Sequence, residues 1–290
     1  MRPPALIAVV AIALAHAAAA QPAPAPRWPA DPEAKIARAL ALFDAGAMTR
    51  RRDGKIAFGL EAPGDAATRE RNRREARELL RSAAAQANPR ARELYAGMVE
   101  NGIGGDARPA LARQVYAEAG TRLARWRLAR MLEQGRGGPK DLVSARKLYR
   151  LAGEAGQIDA RYDHARMLRA GLGGPQDLPA ARAELERTTG FCHGDAADDL
   201  AEMAEKGEGG LRNVELAATH YLRAIDCDNG NFRPPAALTR WERLSRETRY
   251  AIQNKLLADS RYAGPVDGAW SAALARALRK GTARPGGSRR

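Results

Sequence analysis

Two cysteines and two histidines are the side chains of this chain best suited to binding a metal or forming a covalent bridge. Cys192 and His193 are adjacent, whereas His220 and Cys227 follow much later. Zinc sites usually take their ligands from closely spaced pairs, which this spacing does not match. In an oxidising compartment the cysteines would form a disulfide, provided that loops bring their Cα atoms within about 7 Å. The pattern favours a Cys192–Cys227 bridge over a metal site.

A glycine-rich heptapeptide occurs twice, as GRGGPKD at 135–141 and as GLGGPQD at 171–177. A loop that binds phosphate would follow a strand and would usually carry a lysine where the next helix begins. Here Gln176 replaces Lys140 in the second copy, and no strand pattern precedes either loop. The alternative is a boundary between helices, in which glycine ends one helix, proline sets the turn and aspartate caps the next helix. We adopt this second interpretation.

Acidic side chains are candidate catalytic groups, since glycosidases need two carboxylates facing each other across a cleft. The pair Asp198-Asp199 stands beside Glu202 and Glu205 on one helical pattern, and an exposed, solvated face accounts for all four. His164 also falls on a helical pattern, where we expect a surface or groove residue. The chain lacks the sequence patterns of serine hydrolases, zinc proteases and cysteine proteases. We therefore expect neither catalytic residues nor a cofactor.

These residues lie within a repeat of about 36 residues, which is shortened once to about 33. The run ARWRLARMLEQG recurs in altered form, and its copies end at Gly102, Gly135, Gly171 and Gly207. Apolar residues in each run follow the spacing of a helix, and a second helical pattern follows each loop. Ala129 and Ala165 occupy one position in successive repeats, where we expect helices to approach closely. A single hairpin cannot bury its own apolar face, so the repeats must stack.

The repeat pattern A-x-x-x-L-A-x-M-L-x-x-G-x-G-G-P-x-D-x-x-x-A-x-x-L-Y-x-x-A resembles the Sel-one-like repeat, a relative of the tetratricopeptide repeat. The match loosens in 196–227, where Leu211 replaces the loop proline, and a degenerate first unit carries an insertion at 47–66. The resemblance implies an all-α fold: an α/α superhelical solenoid of about five helical hairpins over 33–228. It also implies a concave face that binds another protein.

The segment 248–280 departs from the repeat and follows a linker at 229–247. Its Ile-Gln pair and its Gly-Pro-Val-Asp-Gly turn resemble the peptidoglycan-binding helical domain of bacterial wall proteins. This resemblance implies peptidoglycan contacts by Tyr262, Asp267 and Trp270. Two features depart from that family, because Ser-Ala-Ala-Leu follows the tryptophan and a third helix is missing. Two interpretations stay open: a small helical module that contacts the wall, or a cap on the last repeat.

The two ends of the chain carry further signals. Residues 1–20 combine a basic start, a short apolar run and small residues, which is typical of a secretory signal peptide. A proline-rich leader follows at 21–32, and 281–290 form a flexible basic tail. No later segment has the ~18 apolar residues of a membrane-spanning helix, so we expect no membrane span. We expect the mature protein in the periplasm.

The net charge of the chain is +14, and most of its cations are arginines. Arginine could simply cover solvated helix faces, or it could attract an anionic polymer. A secreted protein rarely meets nucleic acid, so we expect no nucleic-acid partner. We predict an interaction scaffold that binds another envelope protein and lies near peptidoglycan. The alternative is a protein that binds an anionic or wall polysaccharide, and salt would weaken that complex steeply.

Overall fold

The structure is a computed structural model that describes residues 28–43, 65–227 and 238–279. Within these ranges the chain forms twelve α-helices and one 3₁₀ helix and contains no β-strand. The α-helices are α1 Pro32–Leu42, α2 Ala66–Ala85, α3 Pro89–Asn101, α4 Pro109–Ala119, α5 Arg122–Gln134, α6 Leu142–Glu154, α7 Ile158–Ala170, α8 Leu178–Thr189, α9 Gly194–Lys206, α10 Val214–Asp226, α11 Arg246–Ala258 and α12 Ala272–Arg279. The 3₁₀ helix, Leu238–Arg243, lies between α10 and α11.

The helices pack as hairpins in chain order, α1 with α2 and so on to α9 with α10. The second helix of each hairpin also packs on the first helix of the next hairpin. Among the described residues, extensive packing joins only helices that are neighbours in the chain. The helices α10 and α12 are not neighbours, and they make a small contact. Nearest-neighbour packing of this kind defines a solenoid. The prediction of an all-α solenoid of about five hairpins is confirmed.

The glycines of the hairpin loops have different structural roles. Gly135 ends α5 in the left-handed conformation, with φ at 73°, and Asp141 then caps α6 by accepting the backbone N–H of Ser144 at 2.9 Å. Gly137 lies against the preceding hairpin, because a Cβ built on it would be 2.5 Å from the carbonyl oxygen of Pro109 in α4. The first glycines of the other loops, Gly102, Gly171 and Gly207, also end helices in the left-handed conformation.

An arginine on the second helix of each of the first four hairpins lies against the next glycine-rich loop. Arg113 donates to the carbonyl oxygen of Pro139 at 3.0 Å, and Arg146 donates to that of Pro175 at 2.9 Å. Such bonds satisfy loop carbonyls that the helices leave unpaired. Part of the arginine content therefore joins one repeat to the next.

Alanines allow the close approach of the helices. Ala129 on α5 and Ala165 on α7 have no solvent exposure, and each belongs to an apolar cluster shared by several helices. Large buried side chains share these clusters, Tyr149 and Met167 with Ala129, and Leu185 and Met203 with Ala165. A larger side chain at either alanine would overpack these contacts.

The C-terminal helices continue the apolar core of the solenoid. Trp241, Ile252, Leu256 and Leu274 are buried in one cluster with Tyr221 of α10. The helix α11 packs directly on α10, and α12 contacts both. This segment therefore covers the last hairpin from solvent, as a cap does.

Several sequence predictions fall wholly or partly outside the described residues. They are the signal peptide at 1–20, most of the leader at 21–32, nearly all of the insertion at 47–66, the first half of the linker at 229–247 and the tail at 281–290. In the described part of the chain, no helix combines the length and the apolar character needed to cross a membrane.

Candidate functional site

A cavity of about 550 Å³ crosses the first helices of the third, fourth and fifth hairpins. We call it the central cavity. The side chains that define it are Trp126, Arg130 and Glu133 on α5, Tyr162, Asp163 and Arg166 on α7, and His193 just before α9. Its volume falls within the usual range of ligand pockets, roughly 300–1,000 Å³.

Trp126 contacts three charged side chains, of which Asp163 and Arg130 line the cavity. Its indole N–H donates to Asp163 Oδ2 at 2.7 Å, which connects α5 to α7. The guanidinium groups of Arg127 and Arg130 lie 5.1 and 5.0 Å from the centre of the indole ring, within the range of a cation–π contact. Because the indole itself is only 3% exposed, it acts as a support for the cavity wall.

Tyr162 and His193 form a second aromatic wall, with ring centres 4.7 Å apart. The hydroxyl of Tyr162 is hydrogen-bonded to Asp199, which repeats the Trp126 contact one hairpin later. His193 caps α9, since its Nδ1 accepts the backbone N–H of Ala196 at 3.2 Å. Burial lowers the pKa of His193, and the imidazole is therefore neutral at neutral pH.

A network of charges forms the other side of the cavity. Glu133 accepts the hydroxyl of Tyr149 at 2.7 Å and an N–H of Arg166 at 2.5 Å. The same guanidinium is 3.8 Å from Asp163. Burial raises the pKa of Asp163 to about 6, although its bond from Trp126 and the charge of Arg166 act in the opposite direction. Asp163 is thus a carboxylate with incomplete compensation for its lost hydration.

Asp199 and Glu202 of α9 are paired with an arginine, so the prediction of an exposed, solvated face is wrong. Arg169 of α7 lies 3.4, 3.1 and 2.8 Å from the carboxylates of Asp199, Glu202 and Glu208. Burial raises the pKa of Asp199 despite this neighbour. The helix α7 covers this face of α9, and a single helical pattern does not reveal its neighbour.

The two cysteines form a disulfide with their Cα atoms 5.0 Å apart. The bond joins the loop before α9 to the end of α10, so loop placement closes the distance between stacked helices. No thiolate of these cysteines is left for a metal, and the part of the chain that the structure describes holds no group of three His, Cys, Asp or Glu side chains suited to one. His193 lines the central cavity, whereas His220 is buried on α10.

His164 is 8% exposed, so its prediction as a surface residue is wrong. It lines a separate, smaller hollow with Glu184, which agrees with the alternative prediction of a groove residue. Burial lowers the pKa of its imidazole. The adjacent positions Asp163 and Ala165 belong to other environments, since the first lines the central cavity and the second lies in the apolar core.

The three residues predicted to contact peptidoglycan differ in placement. Tyr262 is 4% exposed and donates its hydroxyl to the carbonyl oxygen of Pro265 at 2.9 Å, so its assignment as a sugar contact is wrong. Asp267 is exposed at the turn. Trp270 is 47% exposed, and its ring centre lies 5.6 Å from that of the buried Trp241. Of these three residues, Asp267 and Trp270 are exposed and could contact a ligand, whereas Tyr262 could not.

Sequence reasoning missed the side chains of the central cavity, in particular Trp126, Tyr162, Asp163 and Arg166. A signal was present, because an aromatic residue occupies the same position of two successive repeats, two residues after the repeat alanine, in ARW at 124–126 and in ARY at 160–162. In a chain with 5% aromatic residues, two large polar aromatics at one repeat position indicate a shared surface.

Comparison with known proteins gives matches for the repeats. The Sel1 repeat model matches residues 63–88, 122–157, 158–183 and 194–229. The crystal structure of a Sel1 repeat protein from Oxalobacter formigenes superposes with a TM-score of 0.54 at 21% identity, covering 72% of this chain and 74% of that chain. No curated protein matches the chain.

A second similar structure is that of c5321, a protective antigen of uropathogenic Escherichia coli strains that displays an SLR fold. Its TM-score is 0.53 at 16% identity, and the match covers 80% of this chain. The match covers 55% of the antigen, so the present chain spans about half its length. At these identities the two structures show the fold, and together with the repeat model they support the repeat family. None of the matches supports the resemblance to a peptidoglycan-binding domain.

Proposed function

We propose that this chain, whose repeats match the Sel1 model, is a scaffold that holds a segment of a partner polypeptide in its central cavity. The observation that carries the proposal is the cavity itself, which crosses the first helices of three successive hairpins. Its walls are preorganised, since Trp126, Tyr149 and Arg166 each bind a carboxylate of the wall. Preorganised polar groups lower the ordering cost of binding.

We further propose that the protein acts in the periplasm and that its partner is another envelope protein. The signal-like pattern at 1–20 supports export. The Cys192–Cys227 disulfide supports an oxidising compartment, because cytosolic thiols are kept reduced.

The alternative, binding of an anionic polysaccharide by arginine, has less support. Arg113 and Arg146 donate to loop carbonyls, and Arg166 and Arg169 are paired with carboxylates. These arginines have N–H groups committed to contacts within the protein, so they offer fewer donors to a polymer than the arginine content suggests.

Site-directed photo-crosslinking tests the polypeptide proposal. Benzoylphenylalanine is placed at Gln134 or Asp195, both exposed on the cavity, and at Lys147, an exposed residue of α6 outside the cavity. We expect higher-mass protein adducts from the two cavity positions and none from Lys147, in cells that export the full chain. Equal adducts from Lys147, or no adduct from either cavity position, would contradict the proposal.

For the C-terminal module we propose a cap on α10 that does not bind peptidoglycan. The competing hypothesis is wall contact through Trp270 and Asp267, because the indole is exposed and sugar rings pack on aromatic faces. Co-sedimentation with purified sacculi tests it, comparing the full chain with Trp270→Ala and with Leu257→Ala, another exposed apolar residue. Under the cap proposal all three pellet equally poorly. Pelleting of the parent and of Leu257→Ala but not of Trp270→Ala would establish wall contact instead.

A further inference from the structure

The central cavity has an acidic side in a chain of strongly positive net charge. Its α5 side and the following loop carry Arg130, Lys140 and the carboxylate of Glu133. The side formed by α7 and α9 carries three carboxylates, Asp159, Asp163 and Asp195, and one cation, Arg166. The net charge of +14 would predict the opposite sign for an average surface. The acidic side is therefore a local property of the cavity, and it restricts which ligand charges the cavity can accept.

The cations beside Asp163 are committed to other contacts. Arg166 approaches Asp163 at 3.8 Å, but it binds Glu133 at the shorter distance of 2.5 Å. The guanidinium of Arg130 lies over the ring of Trp126. The neutral indole N–H is the donor that reaches Asp163 within hydrogen-bond distance, and one neutral donor compensates a desolvated carboxylate poorly.

The neighbouring imidazole does not supply the missing charge. His193 Nε2 is 3.8 Å from Asp159, yet burial lowers the pKa of His193, so the ring is neutral at neutral pH. A metal ion is also disfavoured, because the described residues contain no cluster of three suitable ligands. The acidic side of the cavity thus suits a cation that the ligand itself brings.

We infer that the central cavity recognises a lysine or arginine side chain of the bound polypeptide, which pairs with Asp163 beside the wall of Tyr162 and His193. This inference rests on the proposed function and names the chemistry of the partner. A cavity of about 550 Å³ accommodates a long basic side chain together with part of its backbone. The aromatic wall covers the aliphatic stem of that side chain, while its charged end meets the carboxylate.

The pairing predicts a dependence on pH. The titratable and charged groups around Asp163 are Arg130 and Glu133 on α5, Tyr149 on α6, Asp159 and Arg166 on α7, and His193 and Asp195 at the start of α9. A cationic ligand binds the ionised form of Asp163, so affinity is full above the pKa of about 6 and falls as the pH drops through it. Protonation of His193 as the pH falls adds a positive charge and acts in the same direction.

A random dodecapeptide library, displayed on phage and selected against the full chain, tests the inference. Parallel selections use Asp163→Asn, which keeps an oxygen acceptor for Trp126, and Glu118→Gln, which removes one exposed negative charge outside the cavity. We expect peptides that share one lysine or arginine, with affinity about tenfold to a hundredfold weaker for Asp163→Asn and unchanged for Glu118→Gln.

A second arm leaves the protein unchanged and replaces the shared basic residue of the peptide with glutamine. We expect the same loss of affinity, and no further loss when this peptide meets Asp163→Asn, because both changes remove one contact. This arm tests the inferred pairing even if Asp163→Asn folds poorly.

The outcomes separate the two proposals. Peptides that crosslink at Gln134 but show no basic preference, or that bind Asp163→Asn equally well, would overturn the inference and leave the proposed function intact. Peptides that bind without crosslinking at Gln134 or Asp195, or a failure to select any peptide, would count against both.

Discussion

Reduction of the Cys192–Cys227 disulfide should lower the free energy of unfolding by ~3–4 kcal/mol. The bond closes a loop of 35 residues, and the chain-entropy model gives a stabilisation of this size for such a loop. The loop contains the whole hairpin α9–α10, so we expect the loss to be concentrated in the last hairpin and its cap. Urea denaturation followed by circular dichroism, with and without reductant, measures the difference.

The control is the double variant Cys192→Ser and Cys227→Ser. Its stability should equal that of the reduced parent, and reductant should not change it further. Alkylation of both thiols only after reduction would show that the bridge is present. If reductant then leaves the denaturation midpoint of the parent unchanged, the bridge adds no stability. The location of His193 next to the bridge gives a second readout, because loosening of this loop should also reduce ligand binding in the central cavity.

Replacement of Gly137 with alanine should strongly destabilise the protein. Its φ is +77°, and the left-handed conformation costs a residue with a Cβ ~1–2 kcal/mol. The new Cβ would also lie 2.5 Å from the carbonyl oxygen of Pro109, which forces α4 away from the loop. Overpacking of this kind adds a further ~1–3 kcal/mol.

Gly120→Ala is the matched control for this prediction. Gly120 ends α4 with φ at +61°, and a Cβ built on it meets no atom within 4 Å. It should therefore show the cost of the left-handed backbone alone. Chemical denaturation of both variants isolates the contact between hairpins, and equal losses would mean that Gly137 does not hold α4 and the loop together.

The glycine-rich loops illustrate how much of the fold could be predicted. Gly135 and Asp141 predict the ends of their helices, because a left-handed end and a cap are local properties of a few residues. The contact of Gly137 with Pro109 was not predicted, since it joins two hairpins. Repetition implied that the hairpins stack, but it did not specify which atoms meet.

The acidic helix α9 also shows that a local sequence pattern does not reveal contacts with a neighbouring helix. The spacing of Asp199 and Glu202 fits an exposed face and predicts contact with solvent. They are in fact partners of Arg169, which interrupts the repeat: the equivalent positions in the neighbouring repeats hold Glu133 and Glu205. A charge on one helix is interpretable only when the neighbouring helix is known.

Helix periodicity, end residues and a repeat length are encoded within each unit, so they predict the helical hairpins and their order along the chain. The positions that form a site depend instead on how the hairpins pack together. Trp126 and Asp163 come from different repeats, and their contact depends on the rotation between stacked hairpins, which no single repeat encodes. Packing likewise turned Tyr262 inward and left Trp270 exposed, because burial of an aromatic side chain depends on the surface that lies against it.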